Sequence, residues 1–333
     1  MGRVSSEDIA RAANVSRTTV SYVLNDRPGR RISAATRQRI LDTAKELGYV
    51  PDPAALALRA GQSQIVLLHE RTPIPAPGQE VLARGSTGGL LRDALAREVR
   101  SWGMTLLSSG EGFPLAEVLA HLTPRLVIAP AGLSPADRAA LEQASILWYG
   151  TLPDGRAPDA ALTDGLARTI AGHLADRGHR VIGYVDTGVP EFAGMAAERA
   201  AAIERACAEV GLSLTHRISL GIVGEDAVAA CQGAFLGWHD DGVTAVACFN
   251  DLHAGVALKA AQRLGWRVPE GLAVIGVDDE PMAALLDPPL TTVRQSVAEF
   301  GAHLAACGRA VLDGVPVPAL DADVTPLVLR RTT

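Results

Sequence analysis

Apolar residues recur at helical spacing twice within SSEDIARAANVSRTTVSYVLN, residues 5–25. In each repeat they fall on one face of a short helix: Ile9, Ala12 and Ala13 in the first, then Val20, Val23 and Leu24 in the second. A third stripe consists of Ile40, Ala44 and Leu47. The pattern predicts three helices around one small core.

Polar and glycine residues stand where these helices should begin and end. Ser5 or Ser6 can cap the first helix, and Asn14 can adopt the left-handed conformation that often follows a helix. Ser16 and Ser33 are suited to capping the second and third helices, and Gly48 ends the third. A turn of about three residues therefore joins the first two helices.

The second helix leaves polar side chains on its outer face, namely Arg17, Thr18, Ser21 and Tyr22. A helix-turn-helix places such a helix in the major groove of DNA, where its N-terminal side chains reach base edges. The alternative is a helical hairpin within an ordinary all-α domain.

From Gln64 onwards, short apolar runs alternate with amphipathic helical stretches. This alternation predicts an α/β fold with parallel sheets and crossover helices. The predicted strands are Ile65 to His69, Met104 to Ser108, Leu126 to Pro130, Ile146 to Tyr149, Val181 to Asp186, Ala245 to Asn250 and Leu272 to Val277.

Charge separates the start of the chain from the rest. The whole chain of 333 residues has a formal net charge of −6, but residues 1–60 contain ten Arg or Lys and six Asp or Glu, a net +4. The remainder therefore carries −10. A small basic segment attached to an acidic body favours a nucleic-acid partner for that segment.

The sequence gives little indication of a metalloprotein, an enzyme or a membrane protein. The four cysteines are far apart in apolar surroundings, so we expect buried free thiols, and the eight histidines show no ligand spacing; no metal and no cofactor are expected. The chain contains no phosphate-binding loop, nucleophile elbow or dinucleotide fingerprint, which argues against an enzyme. Without an apolar run of about 18 residues or a signal-peptide core, a cytoplasmic protein with no membrane partner is expected.

Two strings resemble the DNA-binding headpiece of the lactose repressor/galactose repressor (LacI/GalR) family of bacterial transcription regulators: DIARAANVSRTTVSYVLN and ISAATRQRILDTAKELGYVPDPAALALR. The resemblance implies that Arg17, Thr18 and Tyr22 read operator bases. Many family members carry Arg in place of Tyr22. Helix geometry and resemblance together give the DNA-binding candidates Ser16, Arg17, Thr18, Ser21, Tyr22, Asn25, Arg31 and Leu58.

Residues 51–62 resemble the family's hinge, which becomes helical on the operator and presents a leucine to the minor groove. Leu58 matches that wedge position. Where the family usually has Asn, this chain has Asp52. A plain interdomain linker, with Leu58 packed on the body, is the alternative.

The remainder resembles the family's periplasmic-binding-protein-like effector domain, in which a small molecule is clasped between two lobes. Matching strings include ERAAAIERACAEVGL and TAVACFNDLHAGVALKAAQRLGWRVPEGLAVIGVDDEPMAALLDPPLTTVRQSVAEFG. The resemblance places Arg199, Asn250 and Asp278 at ligand-contacting positions. The structural alternatives are a solvated helix face for Arg199, a cap of the helix after its strand for Asn250 and the closing of a turn for Asp278. Trp148 could stack on a ligand ring or belong to the core.

The resemblance also implies domain boundaries. We expect a headpiece at 1–50, a hinge at 51–62 and an effector and dimerisation domain at 63–333. Lobe 1 would comprise about 63–152 and 290–315, and lobe 2 about 153–289 and 316–333.

The resemblance further implies a homodimeric regulator, expected to be a repressor, that binds a near-palindromic operator and responds to a small molecule. The first lobe departs from the family, because ERTPIPAPGQEV replaces the usual ligand loop. The alternative is therefore a regulator that has lost its effector or answers to a protein partner.

Overall fold

The computed structural model describes residues 4–24, 32–49, 63–70, 87–109, 114–221, 223–320 and 324–333. It divides into two compact units, residues 1–63 and residues 64–333. No helix among the described residues is long and apolar enough to cross a membrane.

The described residues of the first unit form three helices, α1 (Ser6–Ala12), α2 (Arg17–Leu24) and α3 (Ala34–Glu46). Ile9, Val20 and Ile40, one from each helix, are fully buried against one another in a single core. The three-helix prediction is confirmed. Two predicted core positions are wrong: Ala12 is exposed, with Ala10 buried instead, and Leu47 is 39% exposed because it follows the last turn of α3.

Capping side chains delimit these helices as their sequence predicts. Ser5 and Asp8 form a reciprocal capping box at α1, and the Ser33 hydroxyl accepts a hydrogen bond from the Thr36 amide. Asn14 has a φ of 50° in the turn, and Gly48 has a φ of 66° after α3. These local bonds satisfy amides that would otherwise lack partners at the helix ends.

Two sheets are found among the described residues of the second unit. The first has the order β2-β1-β3-β4, all parallel: β1 (Ile65–His69), β2 (Thr105–Ser109), β3 (Leu126–Ile128) and β4 (Leu147–Tyr149). One face packs against α4 (Thr87–Ser101) and α11 (Val297–Asp313). The other packs against α5 (Leu115–His121) and α6 (Pro135–Gln143). Alternate residues of β1 accordingly enter different cores.

The second sheet has the order β10-β9-β8-β7-β5-β6. Its strands are β5 (Val181–Thr187), β6 (Ser213–Leu220), β7 (Ala245–Cys248), β8 (Ala273–Val277), β9 (Thr291–Val293) and β10 (Leu327–Val328). Helices α7 (Ala160–Asp176) and α8 (Ala193–Glu209) cover one face. Helices α9 (Glu225–Asp240) and α10 (Asp251–Arg263) cover the other. Only β10 is antiparallel, to β9, among the described strands.

The chain crosses between the sheets after β4, after β9 and after α11. The sequence assigned residues 290–293 to the first lobe, but β9 pairs with β8 in the second sheet, so the crossing comes later, at 294–296. Two crossing segments also pair with each other: the Arg294 amide donates to Pro326 O and the Ser296 amide donates to Val324 O, at 3.0 and 2.8 Å.

All seven predicted strands are present, with ends that differ by at most two residues. Among the strands that the structure describes, three were not predicted. β6 alternates exposed and half-buried residues at a sheet edge, and β9 and β10 contain only three and two residues, so none of them forms a long apolar run.

Candidate functional site

Helix α2 presents its N-terminal turn to solvent in the first unit. Arg17 and Thr18 are exposed there, whereas Ser21 and Tyr22 are half-buried. The Ser16 hydroxyl accepts a hydrogen bond of 3.1 Å from the Thr19 amide, so Ser16 caps the helix. The other DNA-binding candidates, Asn25, Arg31 and Leu58, lie outside the described residues.

The electrostatics of α2 favour an anionic partner. Its sequence, RTTVSYVL, contains no acidic residue, and Arg17 adds a full positive charge to the positive end of the helix dipole. A fully buried Val20 fixes the opposite face on the core. The arrangement can place a guanidinium and hydroxyl groups against base edges or phosphates.

In the second unit, both sheets direct the carboxyl ends of their parallel strands toward the crossing segments. One crossing leaves β4 at its carboxyl end and another leaves β9 at its carboxyl end. Ligands of open α/β sheets bind outside this edge of the strands. The predicted ligand residues of the second lobe, Arg199, Asn250 and Asp278, lie on or beside it.

Arg199, on α8, is the buried cation of this edge, with 5% exposure. Its Nη1 donates a hydrogen bond of 2.5 Å to Phe249 O, just after β7. Its guanidinium also lies 4.7 Å from the centre of the Phe249 ring. The two contacts hold the guanidinium over the end of the strand, so a solvated helix face is not its environment.

Asn250 serves as the N-cap of α10. Its Oδ1 accepts from the His253 amide at 3.1 Å and lies 2.6 Å from His253 Nδ1. The carbonyl oxygen of the side chain is therefore occupied, and its amide NH₂ is the group that a ligand could use. Both the structural and the ligand-binding interpretation of Asn250 are compatible with this geometry.

Asp278 begins a turn that is held in an unusual backbone conformation, with φ of 103° at Asp278 and 53° at Asp279. Burial raises the pKa of Asp278, while Arg199 and a hydrogen bond from Gln295 oppose that rise. Gln295 Nε2, on the crossing segment after β9, donates to Asp278 Oδ1 at 2.6 Å. The hydrogen bond thus links the Asp278 turn to a segment that joins the lobes.

Two arginines hold the next residue of the turn. Arg294 Nη2 lies 2.7 Å from Asp279 Oδ2, and Arg330 Nη2 lies 2.5 Å from Asp279 Oδ1. Arg294 belongs to the crossing segment and Arg330 follows β10. The carboxylate therefore ties the turn to two chain segments by charge-assisted bonds.

Sequence reasoning missed Asp251, the first residue of α10, which is fully buried. Its Oδ1 accepts from Thr292 Oγ1 at 2.6 Å and its Oδ2 accepts from the Glu280 amide at 2.7 Å. Asp251 therefore fixes the Asp278 turn against both α10 and β9. An acidic residue directly after a capping Asn is common, because a negative charge in the first helical turn is favoured by the helix dipole. The sequence around Asp251 therefore gave no indication of this role.

Burial raises the pKa of Asp251 to about 7, against the two hydrogen bonds that favour its charged form. A carboxyl group with a folded-state pKa above its unfolded value of 3.8 stabilises the fold at low pH and loses that contribution as pH rises. We therefore expect the unfolding free energy of the wild type, relative to Asp251→Asn, to fall between about pH 4 and pH 7.

Urea unfolding of the wild type and of Asp251→Asn across this pH range measures the difference between their unfolding free energies. The titration of His253 occurs in both proteins, so its contribution cancels from this difference. Burial lowers the pKa of His253 to about 4, so its own contribution changes in the opposite sense. Parallel pH profiles for the two proteins would contradict a raised pKa at Asp251.

Trp148 does not join the second-lobe residues. It is half-buried on β4 and packs against the core that contains Leu67 and Val127, on the face covered by α5 and α6. This environment favours the core alternative over stacking on a ligand.

At the carboxyl edge of the first sheet, the structure places a polar cluster that sequence reasoning also missed. Glu70 is 5% exposed, accepts two contacts of 3.1 and 3.0 Å from Arg92 Nη1, and accepts a hydrogen bond of 2.5 Å from Ser108 Oγ. His69 Nδ1 lies 3.0 Å from Ser109 Oγ. The cluster spans β1, β2 and α4.

Comparison with known proteins finds a family match within each of the two units. The model of the bacterial regulatory proteins of the lacI family matches residues 7–52, and that of the periplasmic binding protein-like domain matches residues 171–333. The HTH-type transcriptional regulator reg1 of Streptomyces lividans is 31% identical, with 98% of this chain and 95% of that protein covered.

Solved structures share the fold along the whole chain. The Lac repressor dimer bound to operator and an anti-inducer superposes with a TM-score of 0.74 at 20% identity, covering 99% of both chains. The complex of the transcriptional regulator CelR with cellobiose superposes with a TM-score of 0.61 at 24% identity, covering 99% of this chain and 100% of that one.

A capped helix-turn-helix followed by a two-sheet α/β unit defines a DNA-binding transcription regulator with a domain for a small-molecule effector. The match to reg1, at 31% identity over nearly the whole length of both chains, narrows this class of regulator to one family. The chain belongs to the LacI family of bacterial transcription regulators.

Proposed function

We propose that this protein is a repressor that reads its operator with α2 and binds a small effector between the two lobes. The observation that carries the proposal is the exposed first turn of α2, with Arg17 and Thr18 free of the headpiece core. Ser16, Ser21 and Tyr22 complete the reading surface. Asn25, Arg31 and Leu58 are further DNA contacts proposed from the sequence, Arg31 to a phosphate and Leu58 in the minor groove. One headpiece makes few base contacts, so two subunits read the half-sites of a near-palindrome.

The proposed effector site comprises Arg199, Asn250 and Asp278 at the carboxyl edge of the second sheet. The hydrogen bond from Gln295 to Asp278 supports coupling, because any ligand that moves Asp278 also moves the crossing segment. A ligand alters DNA affinity only if it binds the two lobe arrangements differently. The protein would thus act by binding, without catalysis, in the cytoplasm where its DNA lies.

Selection of genomic fragments by the purified protein, followed by footprinting, tests the proposal. We expect a short near-palindromic site protected on both half-sites. Footprints with and without cellobiose, the ligand in the CelR complex, then test one candidate effector. Recovery of only random fragments, even in the presence of cell extract, would contradict operator binding.

Arg17→Ala is expected to weaken operator binding and to relax specificity at one base position. A bidentate arginine contact contributes about 1–3 kcal/mol of discrimination against the wrong base, or roughly 5- to 150-fold. Arg31→Ala serves as the matched control, because a phosphate contact weakens all sequences alike. Gel-shift titrations on operator and random DNA measure both, and equal losses on the two DNAs for Arg17→Ala would refute base reading.

A further inference from the structure

Helix α7 belongs to both lobes of the effector unit. Its first buried side chain, Leu162, packs in the core that α4 and α11 form on the first sheet, together with Tyr149 and Phe300. From Leu166 onwards its buried side chains instead join the core of the second sheet. Residues 163–165 therefore lie between a part of the helix that is fixed in one lobe and a part that is fixed in the other.

The other two connections between the lobes change from one core to the other just as abruptly. On the crossing after β9, Gln295 is bonded to Asp278 of the second lobe, whereas Val297 is buried in the core of the first. On the crossing before β10, Val324 is buried in the core of the first lobe, whereas Leu327 packs against the core of the second. Each connection thus passes between two packed cores within a few residues.

Thr325 brings the three connections into contact. Its neighbours Val324 and Pro326 accept hydrogen bonds from amides of the crossing after β9, and its own carbonyl accepts one of 3.1 Å from Thr169 Oγ1 on α7. The buried Thr325 side chain lies directly against Gly165 of the same helix. A Cβ at Gly165 would lie 2.7 Å from Thr325 Oγ1 and 3.2 Å from its Cγ2. Only a residue without a side chain lets α7 and Thr325 approach so closely.

We infer that the contact between Gly165 and Thr325 is the pivot about which the two lobes turn. Packed cores move as nearly rigid bodies, so the residues between them must absorb any rotation of one lobe against the other. In all three connections, those residues lie beside this contact. A contact at a pivot keeps its length while the lobes rotate, so it can be as close as a contact inside a core. Gly165 and Thr325 are then positioning residues for the transmission of effector binding to the operator.

The surroundings of Thr325 prevent it from withdrawing. Both of its chain neighbours are paired with the crossing after β9, and Thr169 holds its carbonyl. A methyl group at Gly165 would therefore push α7 and the paired crossings apart. Because small displacements at such points are amplified into lobe movements, the lobes should settle in a different arrangement. This consequence needs neither ligand nor DNA, and only the further step to the operator rests on the proposed function.

The contact defines two size changes and a control. Gly165→Ala introduces the methyl group. Thr325→Ala removes Oγ1 and Cγ2, the two atoms that this methyl group would meet most closely, and leaves Cβ at an ordinary 3.5 Å. The double variant should therefore fit again. Gly172→Ala is the control, because its methyl group lies on the same helix but meets nothing within 4 Å beyond the helix itself.

Electron–electron double resonance measures the arrangement of the lobes in the full-length protein. Spin labels at Glu142→Cys on α6 and Glu209→Cys on α8 report on the first and second lobes, since both positions are exposed and the four natural cysteines are buried. Labelled chains are mixed with an excess of unlabelled chains, so that each dimer contains one labelled subunit. We expect Gly165→Ala to shift the mean distance by at least about 2 Å. The double variant should return towards the wild-type distance, and Gly172→Ala should retain it.

An unchanged distance in folded Gly165→Ala, or a shift that persists in the double variant, would overturn the pivot. A contact with a merely structural role would lower the melting temperature of Gly165→Ala and leave the distance where it was. If Gly165→Ala does not fold, Thr325→Ala alone decides. Loss of the contact should broaden the distribution of distances between the lobes, and an unchanged width would reject the inference.

Operator affinity tests whether the pivot transmits the signal. Gel shifts on the recovered operator should show that Gly165→Ala changes the affinity by at least about fivefold, the lower end of allosteric coupling, and that the double variant restores it. Gly172→Ala should bind as the wild type does. A shifted lobe distance with unchanged operator affinity would refute the role in transmission. Absence of operator binding by the wild type would be a failure of the proposed function, and the distances alone would then decide the pivot.

Discussion

Ile40→Ala is expected to abolish operator binding while the effector domain stays folded. Ile40 is fully buried in the core that joins the three headpiece helices. Truncation of a buried isoleucine to alanine costs about 2–5 kcal/mol. A domain of this size has a small core and correspondingly little stability to lose. The headpiece should therefore unfold, and α2 loses the scaffold that presents Arg17.

Leu41→Ala is the matched control, because the neighbouring Leu41 is 40% exposed and its truncation leaves the core intact. Gel shifts measure operator binding, and limited proteolysis reports separately on the two units. Retention of operator affinity within about threefold in Ile40→Ala would show that the headpiece core is not organised around this side chain.

Gly276→Ala is expected to be the most disruptive single-methyl change in the effector domain. A Cβ at Gly276 would lie 2.2 Å from Asp251 Oδ1 and 2.9 Å from a methyl group of Leu290. Neither neighbour can withdraw freely, because Asp251 also holds Thr292 and the Glu280 amide. Overpacking of this kind costs about 1–3 kcal/mol, and it should also release the Asp278 turn.

Gly255→Ala provides the control on the adjacent helix α10. A Cβ there meets its nearest side-chain atom, the Met282 methyl group, at an ordinary 3.5 Å. Alanine should stabilise the helix by up to about 1 kcal/mol. Urea unfolding of both variants measures the effects. Equal stability of Gly276→Ala and the wild type would mean that β8 and Asp251 are not packed so closely.

The parts of the fold that depend on local chemistry could be predicted from the sequence. The caps at Ser16 and Ser33, the left-handed Asn14 and the long apolar strands are each specified within a few residues. β9 and β10 could not be predicted in this way, because two or three residues contain no period. Their pairing depends on neighbours far away in the sequence.

The same distinction between local and long-range information applies to the candidate effector site. Arg199, Asn250 and Asp278 could be named from matching strings, but the residues that hold them could not. Asp251 and His253 follow Asn250 as an ordinary first helical turn, and only the fold brings Thr292 and Gln295 to the Asp278 turn. Trp148 could also be named from the sequence, but its environment could not. An aromatic residue near a strand end can pack on either face of the sheet, and only the structure shows which face Trp148 occupies.

The interleaved order of the two lobes has a consequence for synthesis on the ribosome. All four strands of the first sheet have been translated by Tyr149, but α11, which covers one of its faces, begins only at Val297. Val66, Leu68 and Ile128 lie on that face. Until about 150 more residues have emerged, which takes on the order of ten seconds at bacterial elongation rates, these side chains lack part of their cover. The nascent first lobe is therefore a natural client for chaperones, and truncations that end before α11 should aggregate.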